Sequence, residues 1–168
     1  VRQVREIGYS VIENDSALSK TLLEEALAKS LKIKEADAIT NSYRMLGIWH
    51  RAFGDKNKAL ELYQASLYSA RSNNHLYLIA GAYFNIGNIK YEKGEYDSCV
   101  SYFLKANEIF DNPKIFEDKT LKQRVLDKKK SDLYSNISSV FNTLKNLPKE
   151  DEYIDKAIVI AESYKNAS

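Results

Sequence analysis

Hydrophobic side chains recur along this sequence at intervals of three and four residues, with polar residues between them. The bulky residues Tyr43, Leu46 and His50 follow an i, i+3, i+7 pattern. Tyr83 and Ile86 repeat its first two positions. That spacing places the side chains on one face of an α-helix, whereas a strand would alternate at every second residue. Only 2 prolines and 6 glycines occur in 168 residues, so few positions interrupt long helices. The pattern predicts an all-α fold.

The helical pattern is itself repeated along the chain. When the sequence is shifted by 40 residues, two segments coincide, and the matched residues keep their size or chemistry. The matched pairs are Tyr43 with Tyr83, Leu46 with Ile86, Gly47 with Gly87, Gly54 with Gly94, Ala59 with Cys99, and Tyr63 with Phe103. Self-similarity at such a period is typical of stacked helical repeats, in which each unit buries its apolar face against the next.

The repeat extends to both sides of these two units with lower fidelity. An amphipathic segment around Leu23 precedes them, and a shift of 51 residues aligns Tyr134 and Ile137 with the second unit. The difference, 51 − 40 = 11 residues, indicates an insertion after Pro113, which we expect to lengthen the next helix at its N-terminal end. The predicted units are a partial one at about 3–36, then 40–73, 80–111 and 131–164, with the insertion at about 112–130.

Each unit is predicted to form a helix, a tight turn and a second helix. Gly54 and Gly94 stand just past the end of the first helix. A left-handed residue closes a helix at that point, and glycine adopts this conformation without strain. Asp55 and Asp97 follow, and we expect them to cap the second helices.

A second pair of glycines lies inside the first helices. Gly47 and Gly87 each cost about 1 kcal/mol relative to alanine in a helix, so a compensating contact is expected, and close approach of the partner helix supplies one. The partner helix carries a small residue four positions before an aromatic one, as in Cys99 and Phe103. We expect the small residue to face the glycine and the aromatic ring to fill the remaining space.

The repeated residues resemble the pattern of the tetratricopeptide repeat. In the best unit the matching positions are Tyr83, Ile86-Gly87, Gly94-Glu95-Tyr96, Cys99 in place of alanine, Phe103 and Ala106. The period of 40 is longer than the usual one of about 34. In the last unit Ser138 and Glu150 replace the glycine and the alanine. The resemblance implies a right-handed α-α superhelix, or solenoid, of antiparallel helix pairs, with about three to four repeats in one domain.

The resemblance also implies a concave groove, lined by the first helix of each unit, that binds an extended peptide or a partner helix. We place the groove at positions of these helices that lie off the packing stripe. These positions are rich in amides, which donate and accept hydrogen bonds with a peptide backbone, and they add arginine side chains and aromatic anchors. The predicted groove residues are Asn41, Arg44, Ile48, Arg51, Phe84, Asn85, Asn88, Tyr91, Ser135, Asn136, Ser139 and Asn142.

Some members of the family clamp the terminal carboxylate of chaperone tails. Arg44 and Asn85 match the residues that this activity requires. However, Ile48 stands where an asparagine belongs, and Asp132 and Asn136 stand where basic residues belong. The sequence therefore argues against a chaperone-tail clamp.

No catalytic or cofactor-binding motif is found. The glycines of residues 81–94 fit neither of the phosphate-binding patterns G-x-G-x-x-G and G-x-x-x-x-G-K-[ST]. Cys99 takes the place of Ala59 in the previous unit, which favours a buried structural thiol over a nucleophile. His50 and His75 are the only histidines, and their spacing does not fit a metal site. The sequence predicts a protein that is not an enzyme and has no cofactor or metal.

Charge and hydropathy narrow the range of partners. The formal charge is 25 − 23 = +2, which is too small to indicate nucleic acid as a partner. The basic stretch 119–130 contains Asp127, is flanked by Glu117, Asp118 and Asp132, and is typical of a solvated helix face. No apolar run reaches the roughly 20 residues that cross a bilayer. The single cysteine leaves the compartment open, with the cytoplasm slightly favoured.

Two functions from different classes stay open. The first is a non-catalytic scaffold for protein–protein interaction that binds a protein or peptide in its groove. The second is a sensory or regulatory repeat region of a larger bacterial signalling protein, such as a histidine kinase or transcription regulator. Repeats of about 40 residues rich in Tyr, Asn and Lys resemble those of such proteins. The sequence begins with Val1, so we expect a fragment of a longer protein. Self-association through the terminal helices is a further expectation.

Overall fold

A computed structural model describes residues 16–117 and 121–166 of the chain. The described residues form seven α-helices and one short 3₁₀ helix, and none of them lies in a strand. The helices are α1 (Ser16–Ile33), α2 (Ala36–Ala52), α3 (Lys56–Ser72), α4 (Leu76–Glu92), α5 (Tyr96–Phe110), the 3₁₀ helix (Pro113–Glu117), α6 (Gln123–Thr143) and α7 (Leu147–Asn166). Parts of the predicted partial unit and of the insertion lie outside the described residues, so the unit boundaries stay a prediction.

Each helix packs against its neighbour in the chain, from α1 with α2 to α6 with α7. The short connections make consecutive helices antiparallel. In addition, α2 contacts α4, so the first helices of these two units lie side by side. The predicted all-α solenoid of antiparallel helix pairs is confirmed.

The buried core runs through the stack and links one unit to the next. Tyr63 of α3 clusters with Ile86 and Ile89 of α4. Phe103 of α5 belongs to the same buried cluster as Leu133 and Ile137 of α6. Because the aromatic residue of one unit is covered by the first helix of the next, each unit depends on its neighbour for a closed core.

The turns between helices share one geometry. A residue with positive φ follows each of five helices: Lys34 (54°), Gly54 (85°), Asn74 (52°), Gly94 (74°) and Lys145 (55°). In each turn this residue donates its N–H to the carbonyl three residues back, and the next residue donates to the carbonyl five residues back. This bond pair is the Schellman motif, which satisfies carbonyls at the helix end. The left-handed conformation predicted for Gly54 and Gly94 at the helix ends is confirmed. The other three left-handed positions were not predicted.

The second helices begin differently in the two best units. The Asp55 side chain accepts a hydrogen bond of 2.9 Å from the backbone N–H of Lys58 and caps α3 as predicted. The cap predicted at Asp97 is wrong. Glu95 is the N-cap of α5 and makes no side-chain cap bond, while Asp97 lies in the first turn. The shift of 40 residues from Asp55 leads to Glu95, so the repeat itself marks the correct position.

The glycines inside the first helices allow the close approach that was expected, but the aromatic ring occupies the contact. A Cβ atom added to Gly47 would lie 2.6 Å from Tyr63 Cε1, and one added to Gly87 would lie 2.5 Å from Phe103 Cε1. The ring is thus the nearest group to each glycine, and the facing of the small residue stays a prediction. Cys99 is fully buried within the large cluster between units.

The insertion lengthens the third unit at the predicted place. Helix α6 has 21 residues, compared with 17 in α2 and α4. Leu126 on its added turn and Ile115 of the 3₁₀ helix are each 2% exposed. The added residues are therefore part of the packed structure and extend one wall of the concave side.

Candidate binding groove

The concave side of the solenoid contains two adjoining cavities. Cavity A has a volume of about 650 Å³ and cavity B one of about 580 Å³. Both are lined mainly by α2, α4 and α6, the first helices of the three units, and Phe84 of α4 lines both. We call the two cavities together the groove.

Eleven of the twelve predicted groove residues line these cavities. Those of cavity A are Asn41, Arg44, Ile48, Phe84 and Asn85. Those of cavity B are Arg51, Phe84, Asn88, Tyr91, Ser135, Asn136 and Ser139. The twelfth, Asn142, lines neither cavity, and its Nδ2 donates a hydrogen bond of 2.7 Å to Glu150 Oε1 of α7.

Part of the groove was not predicted. Leu121, Val125 and Lys129 form a wall of cavity A, and Asp132 lines cavity B. On α6 the lining positions 125, 129, 132 and 135 are three or four residues apart, as expected for one helix face. Continuing the phase of Ser135 backward through the insertion would have identified them.

The amides of the groove are partly engaged with one another. Asn136 Nδ2 donates to Asn88 Oδ1 at 3.0 Å, which joins α6 to α4. Asn41 Oδ1 accepts a 3.3 Å hydrogen bond from Arg44 Nη2. The side chain of Asn85 forms no hydrogen bond with the described residues. Its donor and acceptor are therefore available to a ligand in cavity A.

The two arginines of the groove have different surroundings. Arg51 Nε lies 2.5 Å from Glu92 Oε1, and Lys56 Nζ lies 3.9 Å from the other oxygen of that carboxylate. Arg51 therefore ties α2 to α4 and is not available as an unpaired fork for a carboxylate. Arg44 forms no ion pair with any described residue, so apart from its bond to Asn41 its donors remain available to a carboxylate.

Cys99, His50 and Trp49 have surroundings typical of structural residues. Cys99 is fully buried, and burial raises the pKa of its thiol to about 12, which suppresses the reactive thiolate at neutral pH. Burial also lowers the pKa of His50, although Asp55 opposes the shift. Among the described residues no three His, Cys, Asp or Glu side chains converge as metal ligands would. Trp49 is partly buried, and its Nε1 donates to Ser19 Oγ at 3.0 Å.

Residues 80–113, which contain most of α4 and all of α5, match the family model of the tetratricopeptide repeat. The matched residues cover the predicted unit 80–111, whose sequence fits the repeat pattern best. The chain therefore carries at least one tetratricopeptide repeat, within a solenoid of helix pairs. None of the helices in the described part of this repeat protein combines the length and apolar character needed to cross a membrane.

Other known proteins share this repeat architecture. Over 54 residues the chain is 41% identical to response regulator aspartate phosphatase J of Bacillus subtilis (strain 168), a match that spans 32% of this chain and 14% of that protein. A Rap protein in complex with Competence and Sporulation Factor superimposes with a TM-score of 0.77, at 21% identity over 96% of this chain and 42% of that one.

Two further solved structures are similar at lower identity. A kinesin light chain with nearly identical repeats from Podosopora anserina gives a TM-score of 0.69, at 12% identity over 96% of this chain and 75% of that one. BtubC from P. vanneervenii gives 0.59, at 17% identity over 98% of this chain and 81% of that one. At these identities the structures establish the shared solenoid fold.

Proposed function

We propose that this repeat protein is a non-catalytic scaffold that binds a peptide or a partner helix in its groove. The observation that carries the proposal is the convergence of α2, α4 and α6 on cavities A and B. Their lining combines apolar surface with amides and charged side chains. Such a lining suits an extended chain, whose backbone needs hydrogen bonds and whose side chains need apolar pockets.

Phe84 and Asn85 are the residues from which we expect the largest contribution. Phe84 lines both cavities, and its ring packs at a tilt against the Phe103 ring with 5.7 Å between the ring centroids, so Phe84 is held in place before a ligand arrives. Asn85 is adjacent and has no hydrogen-bond partner among the described residues. A few well-packed anchor residues carry most of the binding energy at many interfaces, and the adjacent amide offers both a donor and an acceptor.

Affinity selection from a synthetic pool of hexapeptides, with the protein immobilised and the retained peptides identified by mass spectrometry, tests the proposal. We expect Asn85→Ala and Phe84→Ala to retain less peptide than the wild type. Tyr68→Ala is the matched control, because Tyr68 is 77% exposed on α3 and lies outside both cavities. Equal retention by all four proteins would reject the groove as the binding site. Retention by the wild type no greater than by albumin would reject peptide binding.

A second candidate function is that of a regulatory repeat region in a larger bacterial signalling protein. It is favoured by the 41% identity to response regulator aspartate phosphatase J over 54 residues and by the likeness to a Rap protein. In that case ligand binding in the groove would bias the position of an output segment. The full gene sequence discriminates the two candidates, because an adjoining kinase, helix-turn-helix, coiled-coil or transmembrane segment would favour the second.

The expected self-association through the terminal helices stays a prediction. By repeat position Ile154 of α7 corresponds to Tyr63 and Phe103. Those two residues are at most 1% exposed, whereas Ile154 is 39% and Ile158 is 47% exposed. Within the described residues, no helix covers α7 as α4 covers α3. This face is therefore the first place to look for a contact between copies.

A further inference from the structure

The charges of the groove are sorted between its two cavities. In cavity A the cations Arg44 and Lys129 form no ion pair with described residues. Among the described residues that line cavity A, Asp37 is the one carboxylate, and its Oδ2 lies 3.7 Å from Nε2 of His75. Two cations therefore face one carboxylate, and cavity A presents net positive charge to a ligand.

Cavity B has the opposite balance. The Glu92 carboxylate is shared between Arg51 and Lys56, as described above. Asp132 also lines cavity B and forms no ion pair with any described residue. The unpaired charge at this end is therefore negative.

The direction of the helices supports the same sorting. Cavity A is lined by residues near the helix N-termini, such as Asn41 of α2, Leu78 of α4 and Val125 of α6. Cavity B is lined near the C-termini by Arg51 of α2 and Glu92 of α4. Helix N-termini carry partial positive charge and C-termini partial negative charge, so the backbone field adds to that of the unpaired side chains.

The length of the groove sets the size of the ligand. Along α4 the lining extends from Tyr77 to Glu92. Those 92 − 77 = 15 steps, at a rise of about 1.5 Å each, span about 22 Å. An extended peptide advances about 3.3 Å per residue, so about six to seven residues fill the groove, with Phe84 near its middle.

We propose that the groove selects a short peptide of about six to seven residues in one orientation, with its acidic C-terminal end in cavity A and a basic N-terminal end in cavity B. The proposal rests on the proposed peptide-binding function and adds the chemistry of the ligand. Arg44 and Lys129 contact a carboxylate, Asp132 contacts a cationic group, and Phe84 contacts an apolar side chain between them. Opposite charges at the two ends disfavour the reversed peptide, since like charges would meet at both ends.

The test uses a randomised hexapeptide library with free termini, selected on the immobilised protein and analysed by mass spectrometry. We expect Asp and Glu to be enriched in the last two positions, and Lys and Arg in the first two. Arg44→Glu combined with Lys129→Glu removes the acidic preference, and Asp132→Lys removes the basic one. Each reversal weakens binding of the best wild-type peptide by about tenfold, and the loss is smaller at high salt.

Matched controls separate groove charge from overall charge. Lys128→Glu changes the neighbour of Lys129 on the same helix, and Glu108→Lys changes an exposed residue of α5. Neither residue lines a cavity, so both variants keep the wild-type preferences. A second library with amidated C-termini distinguishes two sources of the carboxylate. If the amidated peptides no longer bind, cavity A binds the terminal carboxylate. If they still bind, cavity A binds an acidic side chain.

Selected peptides without charge order, or with the reverse order, overturn this inference. If Phe84→Ala still abolishes retention in that case, the peptide-binding function stands. Absence of any retained peptide rejects both. Circular dichroism establishes that each variant is folded. If the double reversal unfolds, Lys129→Glu alone carries the test, because its exposed side chain takes no part in the core.

Discussion

Replacing Gly87 by alanine tests the central packing contact of the repeat. The added Cβ would lie 2.5 Å from Cε1 and 2.6 Å from Cδ1 of Phe103. Heavy atoms do not approach this closely without a shift of one partner. The Phe103 ring is 1% exposed and lies in the large buried cluster between units, so it has little freedom to turn away. We expect α4 and α5 to be forced apart.

The magnitude follows from two opposing effects. Overpacking a filled core costs about 1–3 kcal/mol, and a contact this short with a confined ring places the cost near the upper limit. Replacing a helical glycine by alanine returns about 1 kcal/mol of helix propensity. The net loss in the free energy of unfolding is therefore about 2 kcal/mol. For a chain of 168 residues, this corresponds to a decrease in Tm of about 4–8 °C.

Urea denaturation followed by circular dichroism at the helical band measures this loss. Gly81→Ala is the matched control, because Gly81 lies on the same helix and an added Cβ meets no atom within 4 Å. We expect this variant to gain up to about 1 kcal/mol from helix propensity alone. Gly87→Ala in a Phe103→Ile background should cost less than in the wild type, since the smaller side chain vacates the contact.

The steric explanation predicts that Gly87→Ala lowers the urea midpoint and that Gly81→Ala does not. If Gly87→Ala unfolds at the same urea concentration as the wild type, or at a higher one, the close contact does not constrain the helices. Equal losses for Gly81→Ala and Gly87→Ala would likewise refute the steric explanation, because only one of the two positions faces a ring.

Four further outcomes follow from the structure. Lys145→Gly should stabilise by up to about 1 kcal/mol and Gly94→Ala should destabilise by about 1 kcal/mol in urea denaturation, because both positions have positive φ. Cys99, whose pKa is raised to about 12, should react with a chromogenic disulfide at pH 8 only slowly in the native protein and rapidly in urea. Because the pKa of His50 is lowered in the folded protein, the unfolded chain binds the proton more readily. The free energy of unfolding should therefore decrease as the pH falls below about 6.5. In His50→Gln the urea midpoint should depend less on pH. If copies associate through α7, Ile158→Glu should shift the mass measured by light scattering from dimer to monomer, whereas a monomeric wild type would contradict that prediction.

The positions of the groove could be predicted from the sequence because helix geometry fixes them. Once Tyr83 and Ile86 are assigned to the packing face, residues such as Phe84 and Asn88 must point elsewhere. Phe84 and Asn88 indeed line the concave cavities. The repeat shift then gives the equivalent positions in the neighbouring units. Groove positions assigned on one first helix therefore predict those on all three.

The electrostatic state of the groove could not be predicted in the same way. From the sequence, Arg44 and Arg51 are both predicted to bind a carboxylate of a ligand. In the structure only Arg51 pairs with a carboxylate among the described residues, that of Glu92, 41 residues away. Such a pair depends on the distance between α2 and α4 and on which rotamers the core leaves free. The left-handed turns at Lys34 and Asn74 were also missed, since the hydrogen bonds of the Schellman motif tolerate residues other than glycine.

The weak pattern of the last unit has a packing explanation. By repeat position Ser138 corresponds to Gly87, and Ile154 corresponds to Phe103. Serine adds the Cβ atom that the ring would not tolerate, and the aliphatic chain of Ile154 is smaller than that ring. We expect Ser138 and Ile154 to face each other as Gly87 and Phe103 do, so that the space lost on one helix is recovered on its partner. Ser138 is 7% exposed, so the position stays buried although the glycine is lost. On this expectation, the chain conserves between units the combined volume of two facing side chains. That is why a Phe103→Ile change should relieve the cost of Gly87→Ala.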